Sequence, residues 1–232
     1  MKSRSIEPHP RGLPTRTKVH PFEAEYFEQV AYRDPMDPVV GAYADPKVRF
    51  IQEYVPLTGR ILDVGCGNGI FTLRFAKAGG TVAGLDYSRH LLAQNSHPRL
   101  IRGDAMALPF PGQSFDVVFE ANVLHHVRSR EQVIREMART TRRYVVLVEP
   151  NRNNPVMLAL GLAVAEERGV LKSCMARLEN EAMRCGLRVS QSLTTGMISQ
   201  NNTPAMLVPL LRRFDRPIWW GEYLILIAEK LS

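Results

Sequence analysis

A parallel β-sheet with helices on both faces is the α/β fold that this sequence predicts, and three observations carry it. Between residues 60 and 148, short apolar runs of strand character alternate with helical segments, which is the rhythm of βαβ units. A glycine run, DVGCGNG, occupies residues 63–69 between the first such strand and the first such helix, where α/β sheets place their ligands. The 232 residues, 45% hydrophobic and 23% charged, suffice for one full-sized core of ordinary globular composition.

Taken in order, residues 1–20 read as an arm. Lys2, Arg4, Arg11, Arg16 and Lys18 outnumber the acids there, and Pro8, Pro10 and Pro14 interrupt any helix. Such a segment has little apolar surface to bury. In 21–38, Phe22, Tyr26, Phe27 and Val30 recur near helical spacing among Glu23, Glu25 and Glu28, predicting a short amphipathic helix. Residues 1–44 are therefore expected to form an N-terminal arm and helical lid, and 45–232 the main domain. Asp45-Pro46 reads as a cap with a first-turn proline, opening a helix that puts Val48, Ile51 and Val55 on one face.

Strands are expected at 60–64, 81–85, 99–102, 115–119 and 144–148. Helices are expected at 71–78, at 89–95, and after Ser129, which forms a capping-box pair with Gln132. Past residue 148 the rhythm weakens. Leu171, Met175, Leu178, Ala182 and Cys185 share a helical face that Gly186 closes. Strands follow at 187–193 and 223–230, and the irregular stretch 194–222 between them has the length of a functional loop.

The net charge of +7 raises the question of an anionic partner, against the plainer reading of a solvated basic surface. The three cysteines, Cys66, Cys174 and Cys185, contain no C-x-x-C pair, so neither a disulfide framework nor a zinc site is expected. The apolar run 156–165 is too short to cross a bilayer. With no apolar stretch near residue 1, a reduced, cytoplasmic setting is expected.

Glycines in the run imply that a ligand approaches the backbone at the first strand's carboxyl end. Asp86 closes the second strand where a ribose-hydroxyl acceptor would stand. A dinucleotide would place its pyrophosphate on the following helix and would call for G-x-G-x-x-G. Here Gly65, Gly67 and Gly69 read G-x-G-x-G behind Asp63, and a carboxylate at that entrance repels pyrophosphate. It suits an ammonium or a sulfonium, so the charge argument favours S-adenosylmethionine over NAD.

Three motifs stand in order: ILDVGCGNG, VAGLDYS and RGDAMALPFPGQSFDVVFEANVLHHV. Through them the chain resembles a class I S-adenosylmethionine-dependent methyltransferase of the broad small-molecule group, over roughly residues 45–150. The resemblance implies a three-layer Rossmann-like sandwich, its seven-stranded sheet mostly parallel with an antiparallel C-terminal strand. It also implies roles. Gly65, Cys66, Gly67 and Gly69 form the loop at the methionine end, with Asp63 acting on the ammonium. Asp86 accepts from the ribose hydroxyls and Tyr87 lies against adenine. Asp104 accepts from the adenine amino group, with Ala105 and Met106 along the ring. Glu120 and Ala121 contact the methionine part. The sequence departs from the common pattern ahead of strand five, where Thr141-Arg142-Arg143 replaces a Gly-Gly turn.

Methyl transfer from a sulfonium is an in-line displacement that calls for alignment and dry walls rather than a metal. A base is needed only where the acceptor must lose a proton. His125 and Glu149 are the catalytic candidates, and His126 reads as a structural histidine of the superfamily. Tyr26, His125, Asn151, Met197 and Trp219 are the candidate substrate contacts. Residues 120–123 carry no Asn/Asp-Pro-Pro-aromatic motif of adenine or glutamine amino methyltransferases. The expected function is methylation of an O or N atom of a small organic acceptor: a metabolite, a sugar or lipid, or a natural-product intermediate. The alternative is an RNA methyltransferase using Arg128, Arg135, Arg139, Arg142, Arg212, Arg213 and Arg216. A monomer or homodimer is expected.

Overall fold

The computed structural model describes residues 27–231. The basic arm, Phe22 and Tyr26 lie outside the described residues. Of the amphipathic helix expected at 21–38, only Phe27 is helical within them; a turn follows and Val30 stands off any helix.

The first complete helix, α1 (Pro38–Tyr54), begins seven residues ahead of the expected cap at Asp45. Asp37 caps it, its Oδ1 accepting from Val39 N at 2.7 Å, and Pro38 takes the first-turn position. Pro46 lies inside the helix instead. Both Asp-Pro pairs have cap chemistry, and the buried side chains decide between them. Val39, Val40, Tyr43 and Ala44 already face the core ahead of Pro46. The helix also carries Lys47 inward, where its Nζ donates to Tyr43 O and sits 3.8 and 4.1 Å from the ring centroids of Tyr43 and Tyr223. Burial pulls its amine down to about 7 against the pull of Glu222 and Asp215.

The alternation then runs β1 (Arg60–Val64), α2 (Ile70–Lys77), β2 (Thr81–Asp86), α3 (Arg89–Gln94), β3 (Leu100–Arg102), β4 (Phe115–Ala121), α4 (Arg130–Thr140) and β5 (Thr141–Pro150). Ser129 caps α4 as expected. Its Oγ accepts from Gln132 N, but the Gln132 side chain reaches Met106 O rather than closing the box. No turn separates α4 from β5: Thr141-Arg142-Arg143, read as a shortened turn, already belongs to the strand. The C-terminal part adds α5 (Pro155–Ala163), a 3₁₀ segment (Ala165–Lys172), α6 (Met175–Arg184), β6 (Leu187–Thr195), α7 (Val208–Leu211) and β7 (Tyr223–Lys230). Leu171, expected on the stripe of α6, sits in the 3₁₀ segment instead.

The sheet order is β3-β2-β1-β4-β5-β7-β6, parallel from β3 to β5, with β7 antiparallel to both of its neighbours. Successive side chains on a strand point to opposite faces. Accordingly Ile61, Val82, Val117 and Val146 pack on the α1–α2 side, while Leu62, Ala83, Val118 and Val145 pack on the side of α4 and α6. Both faces are covered, which is why these strands read as continuous apolar runs. The chain order reverses between β1 and β4. At such a switch point the loops after neighbouring strands diverge and leave a crevice at the carboxyl edge.

Candidate cofactor site

That crevice holds a cavity whose floor is the glycine run. Gly65 N and Cys66 N both donate to Leu85 O, at 2.7 and 3.0 Å, folding the run back over β2. Gly65 has φ +70°, and a Cβ there would stand 2.2 Å from Val123 Cγ2, so the turn can lie beside the β4 loop only without a side chain. Gly67, at φ +49°, would bring a Cβ only to ordinary contact with Leu91 Cδ1, at 4.0 Å, and donates its N–H to Asp86 Oδ2 at 2.8 Å.

Three acids surround this floor. Asp63 is buried, with Oδ2 accepting from Thr72 Oγ1 at 2.6 Å. Burial pushes its carboxyl up to about 7. Asp86 accepts from Gly67 N and Ser88 N, and burial raises it too. Asp104 accepts from Met106 N through Oδ1 at 2.8 Å, while its buried Oδ2 has no hydrogen-bond partner among the described residues. A buried acceptor left open is rare and costly, and a ligand N–H would satisfy it. The donor set thus fits an amino-bearing base at Asp104, a hydroxylated ribose at Asp86 and a cationic end at Asp63.

The structure brings Asp63, Gly65, Cys66, Gly67, Asp86, Tyr87, Asp104, Ala105, Met106 and Ala121 onto this one cavity wall. Gly69 and Glu120 are not on it. Gly69 is the N-cap of α2, and a side chain there would strike Asn95. Glu120 is fully buried behind the wall; burial first, and then Glu149, hold its carboxyl well above the usual range.

A family model described as a methyltransferase domain matches residues 62–148, which span β1 to β5 and every acid just described. Over these residues the chain is similar to class I S-adenosylmethionine-dependent methyltransferases. The chain is 35% identical over 139 residues to a ubiquinone biosynthesis O-methyltransferase of Ralstonia nicotianae, a match covering 53% of the chain and 58% of that relative. It is 27% identical over 180 residues to a demethylmenaquinone methyltransferase of Corynebacterium efficiens, covering 75% and 78%. The chain thus spans little more than half of the first relative's length. Its fold is that of an S-adenosylmethionine-dependent methyltransferase from Mesorhizobium loti, at TM-score 0.61 and 20% identity over 82% of this chain and all of the other. The cofactor of the family is S-adenosylmethionine.

The catalytic and substrate candidates are distributed differently from the expectation. His125 and Glu149 do not line the cavity. They form a buried pair, His125 Nδ1 lying 3.1 Å from Glu149 Oε2, which also meets Arg130 Nη1 at 3.4 Å. Burial pulls the His125 imidazole down, but Glu149 and Glu167 outweigh it and carry it to about 9. Glu149, which burial alone would raise, is held below its ordinary value by His125 and Arg130. His126, read as structural, is the histidine on the cavity wall, its ring edge-on to Phe27 at 4.9 Å. Burial and the charge at His125 push it down to about 3.

Asn151 spends its amide on the segment before β7 and on its own turn, donating to Trp219 O and Gly221 O and accepting from Asn153 N. Met197 Sδ accepts from Asn154 Nδ2, and Trp219 is 75% exposed; neither reaches the cavity. Asn122, absent from the sequence reading, does line it. It stands in the left-handed region at φ +59° and donates from Nδ2 to Tyr43 Oη at 2.9 Å. Asparagine is among the few non-glycine residues that readily take this region, and that is the one signal the sequence offers.

A strap also crosses the carboxyl edge. Ser88 Oγ donates to Phe27 O, and Glu28 accepts from Arg89 N and His90 N. Farther along, Asn68 Nδ2 donates to Arg33 O, and Arg33 donates to Asn201 Oδ1 and Thr203 O. Residues 27–33 are thereby tied to the loop after β2, to the glycine run and to the loop before α7.

Proposed function

We propose that this methyltransferase moves the cofactor's methyl group to an O or N atom of a small, largely apolar organic acceptor. One observation carries the reading: the cavity continues beyond the cofactor residues onto Phe27, Tyr32, Ile70, Phe71, Val123 and Val127. Apolar walls with few polar groups are what small-molecule sites present. The relatives named for ubiquinone biosynthesis and for demethylmenaquinone support a ring acceptor of quinone-precursor type, and the first supports oxygen as its nucleophile.

The bound sulfonium supplies an activated methyl group. The chain's own residues bind and align: Asp63 holds the ammonium, Asp86 the ribose hydroxyls and Asp104 Oδ2 the adenine amino group. Ala105, Met106 and Tyr87 would hold the adenine, and the Gly65–Gly67 backbone the methionine part. His125 and Glu149 act behind the wall, setting the turn that carries His126. Alignment of the acceptor oxygen accounts for the rate such a site needs, and an acidic phenol or hydroxyquinone gives up its proton to solvent before transfer, so no dedicated base is called for.

A nucleic-acid acceptor draws less support. Arg135, Arg139 and Arg142 on and after α4 pair with Glu131, Glu136 and Asp116, so much of that basic face is offset by acids.

Release of S-adenosylhomocysteine over a panel of phenols, catechols and hydroxyquinones tests the proposal. Turnover with at least one, lost in Asp86→Ala, is expected. Tight cofactor binding without turnover across the panel would overturn the acceptor class. Absence of cofactor binding would overturn the site itself.

A further inference from the structure

One cluster offers more than the wall-setting role given to His125 and His126 above. His125, His126 and Glu167 each offer a ligand atom, and these atoms lie within 4.8 Å of one another. The histidines are neighbours on the turn after β4, and Glu167 arrives from the 3₁₀ segment after α5.

Three features show a constructed site. The first is the orientation of His125. Glu149 engages its Nδ1, so the ring is fixed with Nε2 pointing away, 3.5 Å from Glu167 Oε2. A carboxylate behind an imidazole, with the far nitrogen presented to a second group, is the outer-shell support that metal-binding histidines use. The second is His126 Nδ1, which is buried and has no hydrogen-bond partner among the described residues. A buried imidazole nitrogen left open calls for a partner. The third is Gly169. A Cβ there would stand 1.7 Å from His125 O. The segment bearing Glu167 presses onto the His125 backbone only because residue 169 lacks a side chain.

Two imidazoles and a carboxylate are the donor set of borderline divalent ions. Bringing the ligand atoms to the ~2.0–2.2 Å bonds of zinc takes a contraction of roughly an ångström, within reach of side-chain rotation. We propose that His125, His126 and Glu167 bind a divalent ion of the zinc class. The ion ties segment 165–172 to the turn that walls the cavity through His126, and it leaves a coordination position for water or a ligand oxygen. The inference is independent of which acceptor is methylated.

The test uses the full chain without a histidine tag, stripped with chelator and titrated with Co²⁺ alone. Uptake of one Co²⁺ per chain is expected, with the intense visible bands of a tetrahedral site that Zn²⁺ then erases. Glu167→Gln and His126→Ala should lose those bands and His97→Ala should keep them. Glu149→Gln should weaken binding by about ten- to a hundredfold. Circular dichroism checks folding, and Glu167→Gln, which preserves volume, carries the test if His126→Ala misfolds. No uptake by the wild-type chain, or unchanged bands in Glu167→Gln, overturns the proposal and leaves His125 as a cation held between two acids.

Discussion

Asp63 shows how one residue couples charge, burial and ligand choice. A bound ammonium favours the carboxylate and draws its pKa down from about 7. Affinity for S-adenosylmethionine is therefore expected to climb with pH up to about 7 and level off above it. The limiting slope is about tenfold per pH unit, because one proton leaves on binding. Calorimetry at several pH values checks this, and Asp63→Asn should flatten the profile and weaken binding by roughly ten- to a hundredfold. The free protein shows the opposite trend from the same group. Its folded state binds more protons than the unfolded chain between the ordinary carboxylate value and about 7, so this contribution to stability falls as pH rises through that window. Glu149 is the contrasting acid. Glu149→Gln leaves His125 and Arg130 buried beside a neutral amide, and about 3–5 kcal/mol of stability should be lost in denaturant titration. The acids at strand ends were legible in the sequence because a strand's carboxyl edge places them. Which of His125 and His126 meets the cavity was not. The left-handed backbone at Asn122 redirects the chain after β4, and alternation no longer tells inside from outside.

Among the elements, α1 is the most instructive, because its start turned on two equivalent signals. Asp37-Pro38 and Asp45-Pro46 both have the chemistry of a helix start, and only the apolar residues 39–44, buried against the sheet, say that the first is used. Pro46 then sits where an N–H would otherwise bond to the preceding turn. Pro46→Ala is expected to raise stability by up to about 3 kcal/mol, read as a higher denaturant midpoint at unchanged slope. Strands β1, β2, β4 and β5 lie within a few residues of their expected positions, because an apolar run bounded by glycine or a charged turn leaves little choice. The junction of α4 and β5 was harder. Thr141 both ends the helix and pairs with Phe115, so one residue carries two assignments that a linear reading must separate.

The whole molecule is organised by the sheet order. Reversal between β1 and β4 opens the crevice, and the candidate cofactor residues come from loops on both sides of it. Such a site should couple ligand to fold. With S-adenosylhomocysteine at roughly 100 times its Kd, stabilisation of about 2.7 kcal/mol is expected, which for a chain of this size is a melting shift of about 5–10 °C. NAD at the same concentration should leave the melting temperature unchanged, and an equal shift with NAD would contradict the charge argument at Asp63. The parallel sheet and the cofactor loops could be anticipated from the motifs. The far wall of the cavity could not, because Asn122 and His126 reach it through a left-handed turn while Asn151 and Trp219 turn elsewhere.

The strap over residues 27–33 has a kinetic meaning. It is tied on one side to Ser88, Arg89 and His90 and on the other to Asn68, Asn201 and Thr203. A tether fastened at both ends raises the barrier to arrival and to departure alike. Loosening segment 27–33 by Glu28→Ala is therefore expected to speed release of a spent cofactor in stopped-flow while leaving its Kd nearly unchanged.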